Sequence, residues 1–125
     1  ILYLATLRAG GIVVNANPLY VERELEHLLT DSGAEIIATI DAADVHARVS
    51  KVAGRIGVRH VVTCRIAEML PRTRSLLYRL FHRRDIARVR QRASHLDFAT
   101  LVAGQTTARS VEVAPNDVAV LQYTG

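Results

Sequence analysis

The chain has 125 residues and a formal charge of +4, and half of its residues are apolar. That length suits one domain, and with no tryptophan and few other aromatics the core must be aliphatic, as in α/β folds with buried parallel strands. No apolar run approaches the ~18 residues needed to span a bilayer. The single cysteine, Cys64, excludes an intrachain disulfide, favours a reducing, cytoplasmic compartment, and is expected to fill apolar space beside Val61 and Val62.

Positive charge is concentrated in one part of the chain. Residues 72–95 contain eight arginines and one aspartate, which amounts to a local charge of +7. The other residues carry eight basic and eleven acidic side chains, a charge of −3. The basic character therefore belongs to one segment of an otherwise mildly acidic chain and does not indicate nucleic-acid binding by the domain as a whole.

The first third of the chain predicts a helix, a strand and a second helix. They are expected at residues 1–9, 12–17 and 21–32. The second helix is supported by Leu25, Leu28 and Leu29, which share one face, and by Gly33, which lies where a helix commonly ends. Its weak point is Val21 at the N-cap, which costs about 1 kcal/mol relative to Ser or Thr. Burial of three leucines, at roughly 1.5–3 kcal/mol each, outweighs that cost.

Strands and helices continue to alternate beyond this point. We expect them at residues 34–40 (strand), 41–54 (helix), 58–64 (strand), 96–105 (short helix) and 111–125 (turn and last strand). The helix at 41–54 is predicted to begin with Asp41 or Asp44 as its cap. The short helix is predicted to pack through Leu96, Leu101 and Val102. The pattern predicts an α/β fold class, with a mostly parallel sheet and flanking helices.

The side chains suited to metal or nucleophilic chemistry form no recognised pattern. The five histidines have no Cys, Asp or Glu at metal-ligand spacing, so we expect no metal site. His27 and His46 fall on predicted helices, where we expect them at solvent edges. Neither a Gly-x-Ser-x-Gly motif nor a Gly-x-Gly-x-x-Gly motif after a strand occurs. We therefore name no catalytic residue.

The most informative stretch is the last strand, which leads into Tyr123, Thr124 and Gly125. Glycine allows backbone N–H groups to approach an anion, and a threonine hydroxyl adds a donor for a phosphate oxygen. Taken alone, these three residues fit an ordinary junction between a strand and a turn better than a phosphate site. The phosphate interpretation therefore depends on the rest of the chain.

Several motifs in combination resemble the AMP-forming acyl-CoA synthetases, and most of all the long-chain fatty-acid–CoA ligases of bacteria. They are NPLY at 17–20, ELEH at 24–27, DSGA at 31–34 and LQYTG at 121–125. The basic stretch at 65–96 also resembles an insertion found in long-chain members, and we interpret it as a basic helical insertion. The chain departs from the family pattern at Val21 and Glu22, where threonine and proline are common.

The resemblance implies that residues 1–125 are an internal fragment of the AMP-binding N-terminal domain of an adenylate-forming enzyme. The parent enzyme would use ATP and Mg²⁺ to convert a fatty-acid substrate to an acyl-adenylate, and would transfer the acyl group to coenzyme A. Tyr123, Thr124 and Gly125 would open the loop that binds the ATP phosphates. The rest of that loop and a catalytic lysine would lie beyond Gly125, so the segment alone is expected to be inactive.

The basic segment has two interpretations. Its apolar residues share one helical face and continue the spacing further on: Leu76, Leu77, Leu80, Phe81, Ile86, Val89, Ala93 and Leu96. With Arg79, Arg83 and Arg84 largely elsewhere, such a stretch suits peripheral contact with the anionic inner face of a membrane. The alternative, which we prefer at this stage, is a surface helical hairpin packed on its own domain with solvated arginines.

Other functions fit the sequence less well. A non-catalytic α/β interaction module, or the remnant of a degraded gene, would have a similar sequence. Nucleic-acid binding through the arginines is disfavoured, because only Tyr78 and Phe81 lie among them and no recognised reading motif is present.

Overall fold

The computed structural model describes residues 1–89, 93–104 and 111–123. Helices and strands alternate along these residues. In chain order they are α1 (Leu2–Arg8), β1 (Val13–Asn15), α2 (Glu22–Ser32), β2 (Ile36–Ile40), α3 (Ala43–Ile56), β3 (His60–Cys64), a 3-10 helix (Ile66–Met69), α4 (Arg72–Phe81), β4 (His95–Asp97), α5 (Phe98–Ala103) and β5 (Val120–Gln122). The elements predicted between residues 1 and 64 are all present, with bounds that differ by a few residues.

The described strands form two parallel sheets. β1 pairs with β5, which places Val13 opposite Val120 and Asn15 opposite Gln122. The other sheet has the order β2-β3-β4, with β3 in the centre. The predicted α/β class, with parallel strands flanked by helices, is confirmed. The division into two sheets was not predicted, because alternation along the chain does not specify which strands pair.

The core lies where α2 and α3 pack together and α3 covers the β2–β3 pair. Its buried apolar residues are Leu25, Leu28, Leu29, Ile37, Val49, Val52, Ala53 and Val61. The three leucines of α2 are at most 4% exposed. Val14, Tyr20 and Tyr123 pack against this core, so the β1–β5 pair is attached to it through side chains.

The ends of α2 explain why this helix tolerates a poor N-cap. Val21 supplies no side-chain acceptor, but Glu24 Oε2 accepts a hydrogen bond from the Val21 backbone N–H at 3.0 Å. This is the half of a capping box that does not need a Ser or Thr. At the other end Gly33 takes a left-handed conformation with φ 62°, as predicted for a helix-ending glycine.

Ion pairs between two helices align α2 with α3. Glu22 accepts from Lys51 at 2.7 Å and from Arg55 at 3.1 Å, and Glu26 accepts from Arg55 at 2.5 Å. Hydrogen bonds from Lys51 and Arg55 lower the pKa of Glu22. Glu22 and Glu26 are therefore paired with basic residues of α3, and they form no matched acid and base.

Two helix predictions were wrong in their details. The N-cap of α3 is Ala42 instead of Asp41 or Asp44, because the Asp41 carboxylate accepts from the backbone N–H of Ile66 at 2.9 Å. The short helix α5 does not pack through Leu101 and Val102, which are 46% and 59% exposed. It begins instead with a side-chain cap from Asp97. The predicted anchor Leu96 lies directly before Asp97, in β4.

The basic segment is helical only in part. After α4 ends at Phe81, residues 82–85 turn, and Ala42 and Ile86 form an isolated antiparallel bridge. The helical spacing predicted through Ile86 and Val89 is therefore wrong. The Asp41 carbonyl accepts from the Ala87 N–H and the Ala43 N–H donates to the Asp85 carbonyl, and these bonds hold the stretch extended beside the end of β2. None of the helices in the described ranges is both long and apolar enough to cross a membrane.

Candidate functional site

The β1–β5 pair brings two chemically informative stretches to one edge of the structure. Because the two strands are parallel, Asn15 and Gln122 both lie at the carboxyl end of the pair. Tyr123 follows directly, whereas Thr124 and Gly125 lie outside the described residues. In open α/β sheets, ligands bind at the carboxyl ends of the strands. This edge is therefore the candidate site.

Tyr123 is held from two sides. Its ring packs against the core formed by α2 and α3, and its hydroxyl donates a hydrogen bond to Asp31 Oδ2 at 2.6 Å. Asp31 lies in the last turn of α2, and the two residues are 92 positions apart in sequence. The hydrogen bond to the Asp31 carboxylate raises the pKa of the Tyr123 phenol, since it favours the protonated form.

Polar side chains line an open cleft beside this contact. The cleft has a volume of about 560 Å³ and is lined by Asn15, Ala16, Asn17, Tyr20, Gln122 and Tyr123. Across the two strands, Asn15 Nδ2 donates to Gln122 Oε1 at 2.9 Å. This side-chain bond continues the pairing of β1 and β5 beyond their backbone bonds. It therefore supports the end of β5 from which the chain leaves the sheet.

The turn at residues 17–20 forms one wall of the cleft and is held internally and from α3. Asn17 Oδ1 accepts from the Leu19 N–H at 2.9 Å, which is the usual role of an asparagine in a turn. Arg48 of α3 donates to the carbonyl oxygens of Tyr20 at 2.8 Å and Pro18 at 3.2 Å. The wall is therefore fixed to a helix of the core.

Sequence reasoning located Tyr123 but not the groups that hold it. Asp31, Arg48, Asn15 and Gln122 were not recognised as contributors to this edge. DSGA is one of the motifs that carry the family resemblance, but nothing in its composition indicates a tyrosine 92 positions away as its partner. The assignment of Tyr123, Thr124 and Gly125 to a nucleotide site stays a prediction.

A second polar cluster lies between α3 and β3, around His46. His46 is 9% exposed, so the expectation that it sits at a solvent edge was wrong. Its Nε2 lies 3.2 Å from Thr63 Oγ1, and its Nδ1 lies 3.3 Å from Ser50 Oγ. Burial lowers the pKa of His46, as does the nearby His95 ring. Its two nitrogens are both paired, which is the arrangement of a satisfied core histidine.

Buried carboxylates follow β2 and occupy the end of β4. Asp97 accepts from Arg65 at 2.7 Å and from the N–H groups of Ala99 and Thr100. Asp41 is occupied by the Ile66 N–H. Within residues 1–89, 93–104 and 111–123, His, Cys, Asp and Glu side chains form no group of three that could hold a metal ion. These carboxylates therefore have structural partners.

Cys64 lies near these carboxylates and is buried, as predicted. Burial raises the pKa of its thiol, and the negative charges of Asp97, Glu68 and Asp41 act in the same direction. A raised pKa keeps the sulfur protonated at neutral pH, which disfavours a nucleophilic role. The cysteine fills apolar space in the sheet.

Comparison with known proteins identifies the family of the chain. The family model described as "AMP-binding enzyme" matches residues 1–125. The chain belongs to the AMP-binding enzyme family. Its curated relatives include proteins named long-chain-fatty-acid–CoA ligase: one from Escherichia coli O157:H7 is 36% identical over 124 residues, and one from Yersinia pestis is 37% identical over 124 residues. A third, from Bacillus subtilis strain 168, is 32% identical over 135 residues.

These matches cover nearly all of the chain but a small part of each relative. The first two cover 95% of the chain and the third covers 98%, whereas each covers 22% of the relative. The chain therefore spans about a fifth of the length of these ligases. No solved structure gives a significant match to the chain.

Proposed function

We propose that this chain is part of an ATP-dependent long-chain fatty-acid–CoA ligase and that it supplies the entrance to the phosphate-binding loop. The family and the names of the relatives support the reaction class. The observation that carries the proposal is the parallel β1–β5 pair, which places Gln122 at the carboxyl edge of the strands, directly before Tyr123 and two residues before Thr124 in the sequence. Ligase activity belongs to the longer protein.

The proposed reaction has two steps. A fatty-acid carboxylate attacks the α-phosphorus of ATP, which forms the acyl-adenylate and releases pyrophosphate. The coenzyme A thiol then attacks the acyl carbon, forms the thioester and releases AMP. Preorganised donors aimed at phosphate oxygens stabilise the charge that develops in such steps. We assign that role to the Thr124 hydroxyl and to the backbone N–H groups at Thr124 and Gly125.

Mg²⁺ would neutralise part of the negative charge on the ATP phosphates. The described residues give no cluster of acidic ligands to which this ion is assigned. The fit to a nucleotide therefore rests on hydroxyl, amide and backbone donors.

The proposal is tested by replacing Thr124 in the longer enzyme. For Thr124→Ala we expect kcat/KM for ATP to fall about tenfold or more, because loss of one preorganised donor typically weakens transition-state binding by at least that factor. The KM for the fatty acid should stay near that of the unchanged enzyme. The exposed Thr30 of α2 provides a matched control as Thr30→Ala.

Formation of acyl-CoA and release of pyrophosphate are the measurements. If the unchanged enzyme forms no acyl-CoA from ATP, coenzyme A and a long-chain fatty acid, the proposed function is wrong and the alternative of a non-catalytic α/β module is favoured. A Thr124→Ala enzyme with the ATP dependence of Thr30→Ala would remove the assignment of Thr124.

We also propose that α4 contacts the anionic inner face of a membrane, as a peripheral attachment of a cytoplasmic enzyme. The residues that α4 turns toward the protein are polar: Ser75 and Tyr78 are its half-buried positions. Its apolar residues point outward instead, with exposures of 71% for Leu76 and 75% for Phe81. This arrangement does not favour the alternative of an apolar face packed on the described part of its own domain.

The arginines around the apolar stripe of α4 favour anionic lipid as the partner of this surface. Leu76, Leu77, Leu80 and Phe81 form the exposed stripe, and arginines border it: Arg72 and Arg79 on one side, Arg74 on the other, with Arg83 and Arg84 just beyond the helix. An apolar stripe that enters the acyl boundary, with cations at headgroup level, is the usual design of an interfacial helix. Each such cation near an anionic surface adds on the order of 1 kcal/mol.

The membrane proposal is tested by co-sedimentation of the longer protein with vesicles of phosphatidylcholine, with and without phosphatidylglycerol. We expect binding only to the anionic vesicles and its loss when Arg79, Arg83 and Arg84 are replaced by Glu. The control replaces three exposed arginines outside the segment, Arg8, Arg23 and Arg59, by Glu, which changes the net charge equally. Equal loss in both triple variants would overturn the specific role of α4.

Thermal stability distinguishes lipid from another part of the longer protein as the occupant of the apolar stripe of α4. If another part of the longer protein covers the stripe, Leu76→Gln together with Phe81→Gln lowers the thermal midpoint and leaves vesicle binding unchanged. If lipid covers it, the same pair abolishes vesicle binding and leaves the thermal midpoint unchanged. The first outcome contradicts the proposal, and the second supports it.

A further inference from the structure

One exposed side-chain contact connects the end of α2 to the end of β5. Asp31 Oδ2 accepts a hydrogen bond from the Tyr123 hydroxyl at 2.6 Å. Tyr123 is the last described residue before Thr124, so this contact is the final restraint on the described chain before the residues assigned to phosphate binding.

The two ends of this contact differ in how firmly they are held. Asp31 lies in the last turn of α2, whose three leucines are at most 4% exposed and whose end is set by Gly33. β5 has only three residues and pairs on one side with β1. A three-residue strand leaves the direction of the following residue weakly determined. The hydrogen bond therefore fixes the end of β5 to the well-packed helix α2.

The contact with Asp31 also uses the only hydrogen that the Tyr123 hydroxyl can donate. Its hydrogen is donated to a carboxylate, and charge-assisted bonds of this kind are the stronger ones. A hydroxyl whose hydrogen is donated in this way has none left to give to a phosphate oxygen. Within the β1–β5 edge, the side chain of Tyr123 thus serves to set the path of the chain.

We infer that Asp31 is a positioning residue for the phosphate-binding loop, acting through Tyr123. The inference rests on the proposed function, in which Thr124 and Gly125 bind the phosphates of ATP. Asp31 does not touch the nucleotide in this arrangement. It determines where β5 releases the chain, and hence whether the donors of Thr124 and Gly125 are in place before ATP arrives.

The test uses the longer enzyme with Asp31→Ala, Asp31→Asn and Tyr123→Phe. Asp31→Ala and Tyr123→Phe should each raise the KM for ATP about fivefold, the effect of one lost hydrogen bond on the binding-competent arrangement. The KM for the fatty acid should be unchanged. Asp31→Asn should restore ATP binding, because the amide oxygen still accepts from the phenol. The double variant Asp31→Ala with Tyr123→Phe should be no worse than either single variant.

A purely structural contact would give a different result. In that case Asp31→Ala lowers the thermal midpoint while the KM for ATP stays that of the unchanged enzyme, and the inference is overturned. Asp44→Ala, at an exposed carboxylate of α3, is the matched control for loss of one charge. A KM for ATP in Asp31→Asn as high as that in Asp31→Ala also contradicts the inference.

Two outcomes separate this inference from the function on which it rests. If the unchanged enzyme shows no ATP-dependent turnover, the proposed function and the inference both fall. If the enzyme is active and Asp31→Ala behaves like Asp44→Ala, only the inference falls. Should Asp31→Ala fail to fold, Tyr123→Phe decides the question, since it removes one hydroxyl and keeps the ring that packs on the core.

Discussion

Among single residues, buried polar groups impose the strictest local requirements in this chain. His46, Thr63 and Ser50 form one cluster in which both ring nitrogens have partners. Because the ring is buried, the neutral form is favoured, and the nearby His95 adds to this while Asp41 opposes it. The cluster joins α3 to β3 and so couples helix packing to a proton equilibrium.

This predicts a pH dependence of stability that His46 carries. The pKa of His46 in the folded chain lies below its ordinary value of 6.5, so the unfolded chain binds more protons below that pH. The stabilisation from neutral His46 is therefore complete above pH 6.5 and decreases as the pH falls toward the folded-state pKa. In urea unfolding between pH 7.5 and about pH 5, His46→Gln should lose less stability than the unchanged protein.

The exposed His27 of α2 is the control for this prediction. His27→Gln should keep the pH dependence of the unchanged protein. His95 and Asp41 face His46 from β4 and from the end of β2, and both are retained in the two variants. Equal pH dependence in His46→Gln and the unchanged protein would contradict the assignment.

At the scale of helices, the backbone conformations of Gly33 and Gly54 predict opposite effects on stability when each glycine is replaced by alanine. Gly33 ends α2 with a left-handed φ of 62°, and an added Cβ would meet nothing within 4 Å. Gly54 lies inside α3, and an added Cβ there also meets nothing within 4 Å. Steric clash is therefore absent at both, and only the backbone conformation differs.

We expect Gly33→Ala to destabilise the protein by about 1 kcal/mol, because alanine disfavours the left-handed region. Gly54→Ala should stabilise it by about 0.4–1 kcal/mol, because alanine favours the helix and restricts the unfolded chain. Urea midpoints followed by circular dichroism measure both changes. A shift of both midpoints in the same direction would contradict this account of the two positions.

For the whole molecule, the chain spans 22% of the length of the long-chain-fatty-acid–CoA ligases to which it is similar. The described residues place one strand end and a cleft at the β1–β5 edge, but the groups around His46, Asp41 and Asp97 are occupied by structural partners. The residues that would complete a nucleotide site are not among those described.

We therefore expect purified residues 1–125 to release no pyrophosphate from ATP in the presence of palmitate. A coupled pyrophosphate assay with the longer enzyme as positive control measures this. The physical reason is that phosphate chemistry depends on several donors held together, and a single loop entrance supplies too few. Pyrophosphate release by the isolated segment above the level without enzyme would contradict the expectation.

The local patterns in the sequence were sufficient for most elements of the fold. The leucine spacing of α2 and the position of Gly33 correspond to a helix with that end, whereas α3 continues to Ile56, two residues beyond its predicted end at residue 54. They succeed because helix periodicity and glycine conformation depend on near neighbours in the chain. The N-cap of α3 was predicted wrongly because the Asp41 carboxylate is used by Ile66, a partner 25 residues away. The anchors of α5 were predicted wrongly because the fold leaves Leu101 and Val102 46% and 59% exposed.

The candidate site shows the same division between local and distant information. Tyr123, Thr124 and Gly125 were selected because LQYTG, together with the other motifs, resembles the acyl-CoA synthetases. The known use of glycine and threonine at phosphates did not by itself favour a phosphate site. The partners that hold this edge came from the fold: Asp31 meets Tyr123 across 92 residues, and Asn15 meets Gln122 across 107 residues. Residue order specifies which groups a strand carries, whereas contacts between distant residues depend on which strands pair and how the helices pack. That choice is made by burial of the shared core, which no short stretch of sequence contains.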